Sequence, residues 1–123
     1  MVFSSFAPIA AAVLGFGGIA APQAPAAALQ LTLHETTGRV SAASLTCDPT
    51  GGTHPKAAEA CATLEAANGD ISRIKPRLQR CTMIYAPVDA AAFGTWHGHA
   101  ITFHTTFPNR CSADAQTAGV FGF

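Results

Sequence analysis

The sequence predicts an α+β domain with an antiparallel sheet, and three stretches of the chain carry that prediction. In residues 29–36, "LQLTLHET", leucines alternate with polar residues, which is the period-two pattern of a half-buried strand. Residues 56–67, "KAAEACATLEAA", are nearly all good helix formers. Residues 94–107, "GTWHGHAITFHTTF", are rich in threonine, aromatic and β-branched residues, which favour strands. Strands on both sides of one main helix indicate an α+β fold.

Weaker elements are predicted between these stretches. Residues 38–47, "GRVSAASLTC", are predicted to form a second strand, although they are rich in alanine and serine. Residues 48–55, "DPTGGTHP", have the composition of a loop and end in a proline that suits the first turn of a helix. Asn68–Gly69 is a favourable helix end. Residues 70–81 predict a short turn or helix fragment, which Pro76 interrupts.

The last third of the chain is predicted to return to strands. The stretch "TMIYAPV", residues 82–88, has high strand propensity, and the strand residues of 94–107 follow it. "PNRC", residues 108–111, predicts a turn, and "AGVFGF", residues 118–123, predicts a short closing strand. We find no internal repeat and no linker between residues 29 and 123, so this part of the chain is predicted to be one domain.

Residues 1–28 differ from the rest and are predicted to be a secretory signal peptide with a short flexible tail. Residues 9–21, "IAAAVLGFGGIAA", resemble the hydrophobic part of such a signal, and small residues follow where cleavage would occur. The run is shorter than the roughly 20 residues of a membrane-spanning helix. Because the segment lacks a Lys or Arg at its start, either the true start lies upstream or the leader is atypical, and a disordered Ala/Pro tail is the alternative. We expect a secreted, extracellular protein without membrane association after removal of the leader.

The charge composition argues against a nucleic-acid partner. Charged residues make up 11% of the chain, the formal net charge is zero, and the seven Lys and Arg residues are spread out. Nucleic-acid binding needs a basic stripe. The sequence also lacks a glycine-rich phosphate loop ahead of a Lys-Ser/Thr pair and a G-x-S-x-G nucleophile motif. It therefore gives no argument for an enzyme or for a cofactor.

Four cysteines, Cys47, Cys61, Cys81 and Cys111, predict two disulfides. An even number in a small exported domain is typical of a disulfide framework, and four cysteines allow three pairings. The alternative is a zinc site, but zinc sites are usually built from closely spaced pairs, and no two of these cysteines are close in sequence. If all four are paired, no thiol remains to act as a nucleophile.

The histidines offer a second metal hypothesis. His97 and His99 are two residues apart and would share one face of a strand, whereas His104 would lie on the other face. Two histidines on one face can bind a metal weakly, but no acidic residue or cysteine lies nearby in sequence. We interpret them as part of a polar strand face and predict no metal site.

Residues 80–88, "RCTMIYAPV", combine a cysteine with a run of apolar residues. Such a stretch could form a buried strand or an exposed loop that is tied down by a disulfide. A disulfide at Cys81 would fix the backbone two residues before Met83. The side chains of Thr82, Met83 and Ile84 could still project outward. A segment that is held extended with apolar side chains exposed is what a protease cleft accepts, and ordering it in advance lowers the entropy cost of binding.

With these residues in view, the chain resembles the Streptomyces subtilisin inhibitor family of secreted serine-protease inhibitors. The resemblance covers nearly all of residues 29–123. Its ordered set of motifs is specific, although no single motif would be. The motifs are "LTC" (45–47), "GTHP" (52–55), "AC" with "L" (60–64), "GD" (69–70), "CTMIYAPV" (81–88), "GTWHG" (94–98), "FPNRC" (107–111) and "VFGF" (120–123).

The resemblance implies a reactive site in the loop after Arg80. Met83 would be the primary specificity residue, and the Met83–Ile84 peptide bond would be the bond offered to the protease. Thr82 and Tyr85 would flank it, and Asn109 would brace the loop. The resemblance also implies the disulfides Cys47–Cys61 and Cys81–Cys111.

The resemblance also implies a five-stranded antiparallel sheet with two helices, and a homodimer that packs sheet to sheet. The expected partners are subtilisin-like proteases and, as a further possibility, chymotrypsin-like ones. Two positions depart from the family: Thr82 stands where proline is common, and Ala86 stands where aspartate is frequent. Two other functions remain open, namely a secreted structural or carbohydrate-binding module of the same fold and a metal-binding protein that uses His97 and His99.

Overall fold

The protein folds around a four-stranded antiparallel sheet. The structure is a computed structural model that describes residues 24–123. The strands are β1 (Ala27–Glu35), β2 (Val40–Cys47), β3 (Val88–Trp96) and β4 (His99–Phe107), and they lie in the order β2-β1-β3-β4. The predicted α+β class is confirmed. Residues 1–23 of the predicted leader and flexible tail lie outside the described residues. Ala27 and Ala28, which were also predicted to belong to the tail, form the start of β1.

The prediction of five strands is wrong, because the described chain forms four. Residues 94–107 are not one strand: β3 ends at Trp96 and β4 begins at His99, with a two-residue turn between them. Both turn residues, His97 and Gly98, have positive φ angles, of 46° and 82°. Positive φ at both central residues matches the right-handed twist of a tight hairpin. His97 therefore lies in a turn, and it does not share a strand face with His99.

Two further predicted strands are absent from the described chain. The segment 82–88 is an extended loop up to Val88, where β3 begins, because it lies beside a helix end rather than beside a strand. Residues 118–121 form turns in which the N–H of Gly119 donates to the carbonyl of Asp114, at 3.0 Å, and residues 122–123 have no regular structure.

The two α-helices are α1 (Ala57–Ala66) and α2 (Arg110–Gln116), and a single 3₁₀ turn spans Ile71–Arg73. The helix end predicted at Asn68–Gly69 is confirmed, since the N–H of Gly69 closes the last turn onto Leu64. The prediction of only a turn at residues 108–111 is wrong, because α2 begins there.

Both helices cover the same face of the sheet. Cys61 and Leu64 of α1 and Ala113 of α2 are buried against it. The sheet residues below them alternate along each strand, as period two requires. They are mainly apolar: Ala27, Leu29, Leu31, Leu33, Leu45, Val88, Ala90, Ala92, Trp96 and Phe107. The opposite face of the sheet is not covered by any element within residues 24–123.

The segment between the 3₁₀ turn and β3 is fastened to both helices by Arg77. Its guanidinium lies 2.7 Å from a carboxylate oxygen of Glu59 in α1 and 2.7 Å from one of Asp114 in α2. Its backbone N–H donates to the carbonyl of Ala115 at 2.8 Å. Arg77 therefore sets the position from which the chain enters residues 78–87.

A buried histidine ties the loop before α1 to the end of the chain. His54 is 5% exposed, and its Nε2 lies 2.9 Å from the carbonyl oxygen of Val120. Its Nδ1 lies 3.0 Å from the backbone nitrogen of Lys56. Because the Lys56 N–H can only donate, Nδ1 accepts and the Nε2–H donates to Val120. The Phe123 ring packs edge-on against the imidazole, at 5.6 Å between ring centroids.

We expect His54→Phe to lower the free energy of unfolding by about 2 kcal/mol, because it leaves the Val120 carbonyl and the Lys56 N–H without their partners. Chemical denaturation of both proteins measures the change. His99→Phe is the matched control, because His99 is exposed, and it should shift the stability by less than about 0.5 kcal/mol. Equal effects of the two substitutions would contradict the assignment of His54 as a structural tie.

Candidate functional site

The loop of residues 80–85 displays three consecutive bulky apolar side chains to solvent. Met83 is 96% exposed, Ile84 67% and Tyr85 75%. A small domain gains stability by burying such side chains, so a contiguous exposed run of them marks an interaction site. This segment is therefore an exposed loop and not a buried strand.

One end of the loop is attached to α2 through a disulfide. Cys81 and Cys111 are bonded, with their Cα atoms 5.5 Å apart, and Cys111 lies in the first turn of α2. The other disulfide joins Cys47, at the end of β2, to Cys61 in α1, and it belongs to the core. The pairing is the one that the family resemblance implies. No cysteine of the described chain is free.

A single buried amide holds the loop on both sides of Met83. Asn109 is 7% exposed. Its Nδ2 donates to the carbonyl oxygens of Thr82, at 3.2 Å, and Ile84, at 3.0 Å. Its Oδ1 accepts from the backbone N–H of Ser112 at 2.8 Å, which makes Asn109 the N-cap of α2. The same side chain therefore starts a helix and binds the two carbonyls that flank Met83.

A third hydrogen bond joins two residues of the loop itself. The Oγ1 of Thr82 accepts from the backbone N–H of Ile84, at 3.2 Å. Further along, the backbone N–H of Ala86 donates to the carbonyl of Pro108 at 2.8 Å, just before β3 begins. The backbone around Met83 is thus bound on both sides while the Met83 side chain points into solvent.

The residues that precede the disulfide are also arranged around α2. The Gln79 amide lies 3.5 Å from a carboxylate oxygen of Asp114 and 3.4 Å from the sulfur of Cys111. Arg80 is exposed, and Leu78 has no burial at all, at 103% of its reference exposure. Sequence reasoning missed Arg77 and Gln79, since nothing in a linear pattern indicates which carboxylate a long side chain will reach.

The geometry does not bring the histidines into a metal centre. Within residues 24–123 there is no group of three or more His, Cys, Asp and Glu side chains that could hold a metal ion. His97 and His99 line an open depression together with Glu65, Asn68 and Trp96. In the same range, no helix is both long enough and apolar enough to cross a membrane.

A carboxyl group with a lowered pKa lies outside this loop, at the start of the 3₁₀ turn. Asp70 accepts hydrogen bonds from the hydroxyl and the backbone N–H of Ser72, at 2.5 and 3.0 Å. These bonds stabilise the carboxylate and, with a smaller contribution from Arg73, lower the pKa of Asp70 below its ordinary value.

Comparison with known proteins places the loop in a family context. A family model described as subtilisin inhibitor-like matches residues 25–109. Subtilisin inhibitor-like protein 4 of Streptomyces lavendulae is 37% identical over 123 residues, which cover 98% of this chain and 94% of that protein. The subtilisin inhibitor of Streptomyces albogriseolus is 36% identical over 129 residues, which cover 94% of this chain and 90% of that protein.

A solved structure shares the fold. Sermetstatin of Streptomyces caespitosus, in a crystal structure of its complex with Bacillus licheniformis subtilisin, matches with a TM-score of 0.61 and 28% identity. The match covers 79% of this chain and 96% of that one. The chain spans 52% of the length of a Streptomyces avermitilis relative and 62% of the length of relatives from Streptomyces coelicolor and Streptomyces lividans.

The two roles of Asn109 can be separated by substitution. Asn109→Asp keeps an oxygen that can cap α2 but removes the donors to the loop, whereas Asn109→Ala removes both. We expect both variants to loosen residues 82–85, with backbone order parameters falling from about 0.85 to below about 0.6. Only the alanine variant should also lose about 1 kcal/mol of stability through the missing cap. NMR relaxation and thermal unfolding measure the two effects. An aspartate variant with an unchanged loop would contradict the assignment of the Asn109 amide as the group that holds residues 82–85.

Proposed function

The chain belongs to the subtilisin inhibitor-like family, and we propose that it is a secreted inhibitor of subtilisin-like serine proteases, with Met83–Ile84 as its reactive-site bond. One observation carries the proposal. Met83 is 96% exposed, on a backbone that a disulfide and the Asn109 amide hold from both sides. A loop of this kind offers a protease a substrate that is already in its bound shape.

The mechanism follows from that rigidity. The protease accepts the Met83 side chain in its primary specificity pocket, and its serine attacks the Met83 carbonyl carbon. When the peptide bond to Ile84 breaks, both ends remain fixed. The Cys81–Cys111 bridge and the Asn109 bond to Thr82 hold the acyl side, and the Asn109 bond to Ile84 holds the amine side. The Ile84 amine therefore stays beside the ester that joins Met83 to the protease serine. It re-forms the peptide bond faster than water hydrolyses that ester.

The order already present in the free loop favours tight binding. A flexible peptide must lose backbone and side-chain freedom when it enters a protease cleft, which weakens its net binding. Here the loop residues bear that loss during folding. Inhibitor complexes of this class bury about 1,600 Å² in total. Leu78, Arg80, Met83, Ile84 and Tyr85 are exposed along one segment and can contribute to such a surface.

Secretion is supported by the disulfides. Two disulfides in a domain of this size are typical of proteins that fold in an oxidising compartment. The apolar run of residues 9–21 fits an export signal. We therefore place the inhibitor outside the cell, where secreted proteases act.

We also propose a homodimer that packs through the uncovered face of the sheet. Phe93, at 54% exposure, and Val40, at 55%, are large apolar side chains on that face. The face also carries polar residues, with Gln30 opposite Phe93 and His34 opposite Val40. Its small side chains would let a second sheet approach closely; these are Ala28, Ala42, Ala91, Thr95, Ala100 and Thr102. Contact with a second copy would bury the apolar groups that no part of the described chain covers.

Substitution of Met83 should redirect the inhibitor. Trypsin-like pockets contain a buried carboxylate that needs a cation, so Met83→Lys should strengthen inhibition of trypsin by roughly a hundredfold or more. Met83→Asp should weaken inhibition of subtilisin by a similar factor, because a carboxylate would be buried in an apolar pocket. Inhibition constants against both proteases measure these changes. Thr37→Lys, in the exposed β1–β2 turn, is the charge-matched control and should change neither constant.

Two results would count against this reactive site. One is an inhibitor whose constants do not respond to any change at Met83. The other is a protein that folds, binds no protease and is not cleaved between Met83 and Ile84, which is the behaviour of a structural or binding module of the same fold.

Substitution of Phe93 tests the dimer. Phe93→Glu places two like charges in the proposed interface, and we expect light scattering at micromolar concentration to give twice the chain mass for the wild type and the mass of one chain for the variant. Leu78→Glu is the control, because Leu78 is fully exposed and lies off the sheet. The dimer would be refuted by a wild-type mass of one chain or by a Phe93→Glu variant that remains dimeric.

A further inference from the structure

We propose that the Thr82 hydroxyl is a positioning group that holds the Ile84 nitrogen while the reactive-site bond is broken and re-formed. The inference rests on the proposed inhibitory function and deepens it. The observation behind it is the hydrogen bond from the Ile84 N–H to Oγ1 of Thr82, at 3.2 Å. Ile84 supplies the nitrogen that leaves when the Met83–Ile84 bond breaks.

Two side chains make the hydrogen bonds around Met83, one as a donor and the other as an acceptor. Asn109 donates to the Thr82 and Ile84 carbonyls and so positions the backbone on each side of the reacting bond. It can only donate through this nitrogen, so it cannot hold an N–H group. The Thr82 hydroxyl supplies the missing acceptor, and it does so at the reacting bond itself.

The chemistry of the step shows why that acceptor matters. The protease serine attacks the Met83 carbonyl carbon and gives its proton to the protease histidine. The C–N bond then breaks, and the Ile84 nitrogen takes that proton and leaves as a primary amine, opposite an ester between the serine oxygen and Met83. In religation the amine lone pair attacks the ester carbon, the serine oxygen leaves, and one amine proton returns to it through the histidine.

An amine that donates one N–H to Thr82 cannot turn freely. Its lone pair stays directed toward the ester carbon, and it occupies the position that a hydrolytic water would need. In the free protein the bond competes with solvent, because Thr82 is exposed. In the complex the protease excludes water from the loop, and the same bond becomes stronger in the lower dielectric. Thr82 therefore acts mainly after the protease has bound.

A proline at position 82 would stiffen the chain by fixing φ. Threonine lacks that restraint. The hydroxyl restrains the reacting bond by a different route, through the nitrogen that leaves.

Three variants separate the hydroxyl from the rest of the side chain. Thr82→Val keeps the branched shape without the hydroxyl, Thr82→Ser keeps the hydroxyl without the methyl group, and Thr82→Ala has neither. Each is incubated with subtilisin to measure the association rate constant, the rate of hydrolysis of Met83–Ile84, and the rate at which inhibitor cleaved at that bond is resealed. Unfolding temperatures confirm that the exposed substitutions leave the fold intact.

We expect Thr82→Val to associate within about twofold of the wild-type rate, to be hydrolysed roughly three- to tenfold faster, and to be resealed correspondingly more slowly, which is the factor that one neutral hydrogen bond is worth. Thr82→Ser should behave like the wild type, and Thr82→Ala should behave like the valine variant. A side chain that only shaped the loop by packing would give a different order, with serine and alanine impaired and valine normal.

The outcomes distinguish this inference from the function on which it rests. If the wild type inhibits subtilisin and is cut at Met83–Ile84, but the valine and alanine variants are hydrolysed and resealed at wild-type rates, the role of the hydroxyl is overturned and the inhibitory function stands. A serine variant that behaves like valine overturns it as well. If the wild type neither inhibits nor is cut at that bond, both proposals fall.

Discussion

The Asn109 side chain is the interaction on which the functional part of the structure depends. With one amide it begins α2 and binds the two carbonyls on either side of Met83. Two residues later, Cys111 connects the same helix to Cys81 in the loop. The loop is therefore built on a helix end that must itself be held in place. A change that shifts the first turn of α2 moves both restraints together.

The rest of the fold serves to hold that helix. Ala113 and Ala115 are buried, and α2 packs on the sheet face shared with α1. Thr117, 1% exposed, follows α2, and its hydroxyl donates to the Ala113 carbonyl and accepts from the Phe121 N–H. Arg77 connects Asp114 to α1 and leads the chain into the loop. The core thus fixes a helix, the helix fixes the loop, and the exposed side chain at the loop's centre is free to enter a partner.

The sequence predicted the elements that have a strong periodic pattern and missed those that depend on single contacts. The strands predicted at 29–36 and 38–47 and the helix at 56–67 lie within two residues of β1, β2 and α1, because each pattern extends over several turns or pairs. The helix α2 was missed because it has only seven residues and follows what reads as a turn. The β3–β4 turn was missed because a His-Gly pair lies inside a run of strand-forming residues.

The candidate site was likewise predicted only in part from the sequence. The cysteine count predicted two disulfides, but their pairing and the importance of Met83 came from resemblance to a family. The exposure of Met83 could not be derived from its apolar side chain, which by itself favours burial. The contacts of Thr82 and Arg77 depend on atoms that are distant in sequence or on a loop conformation, and no sequence pattern specifies them.

We propose that the restrained loop lets a protease cleave the Met83–Ile84 bond but holds both ends in place, so that the bond re-forms before it is hydrolysed. The most direct measurement is amino-terminal sequencing and mass analysis of inhibitor recovered after long incubation with a small amount of subtilisin. The account predicts mainly intact protein and a minor fraction with one new amino terminus, at Ile84, whose two parts remain joined by the Cys81–Cys111 disulfide. Complete degradation, or cleavage at another bond, would contradict it.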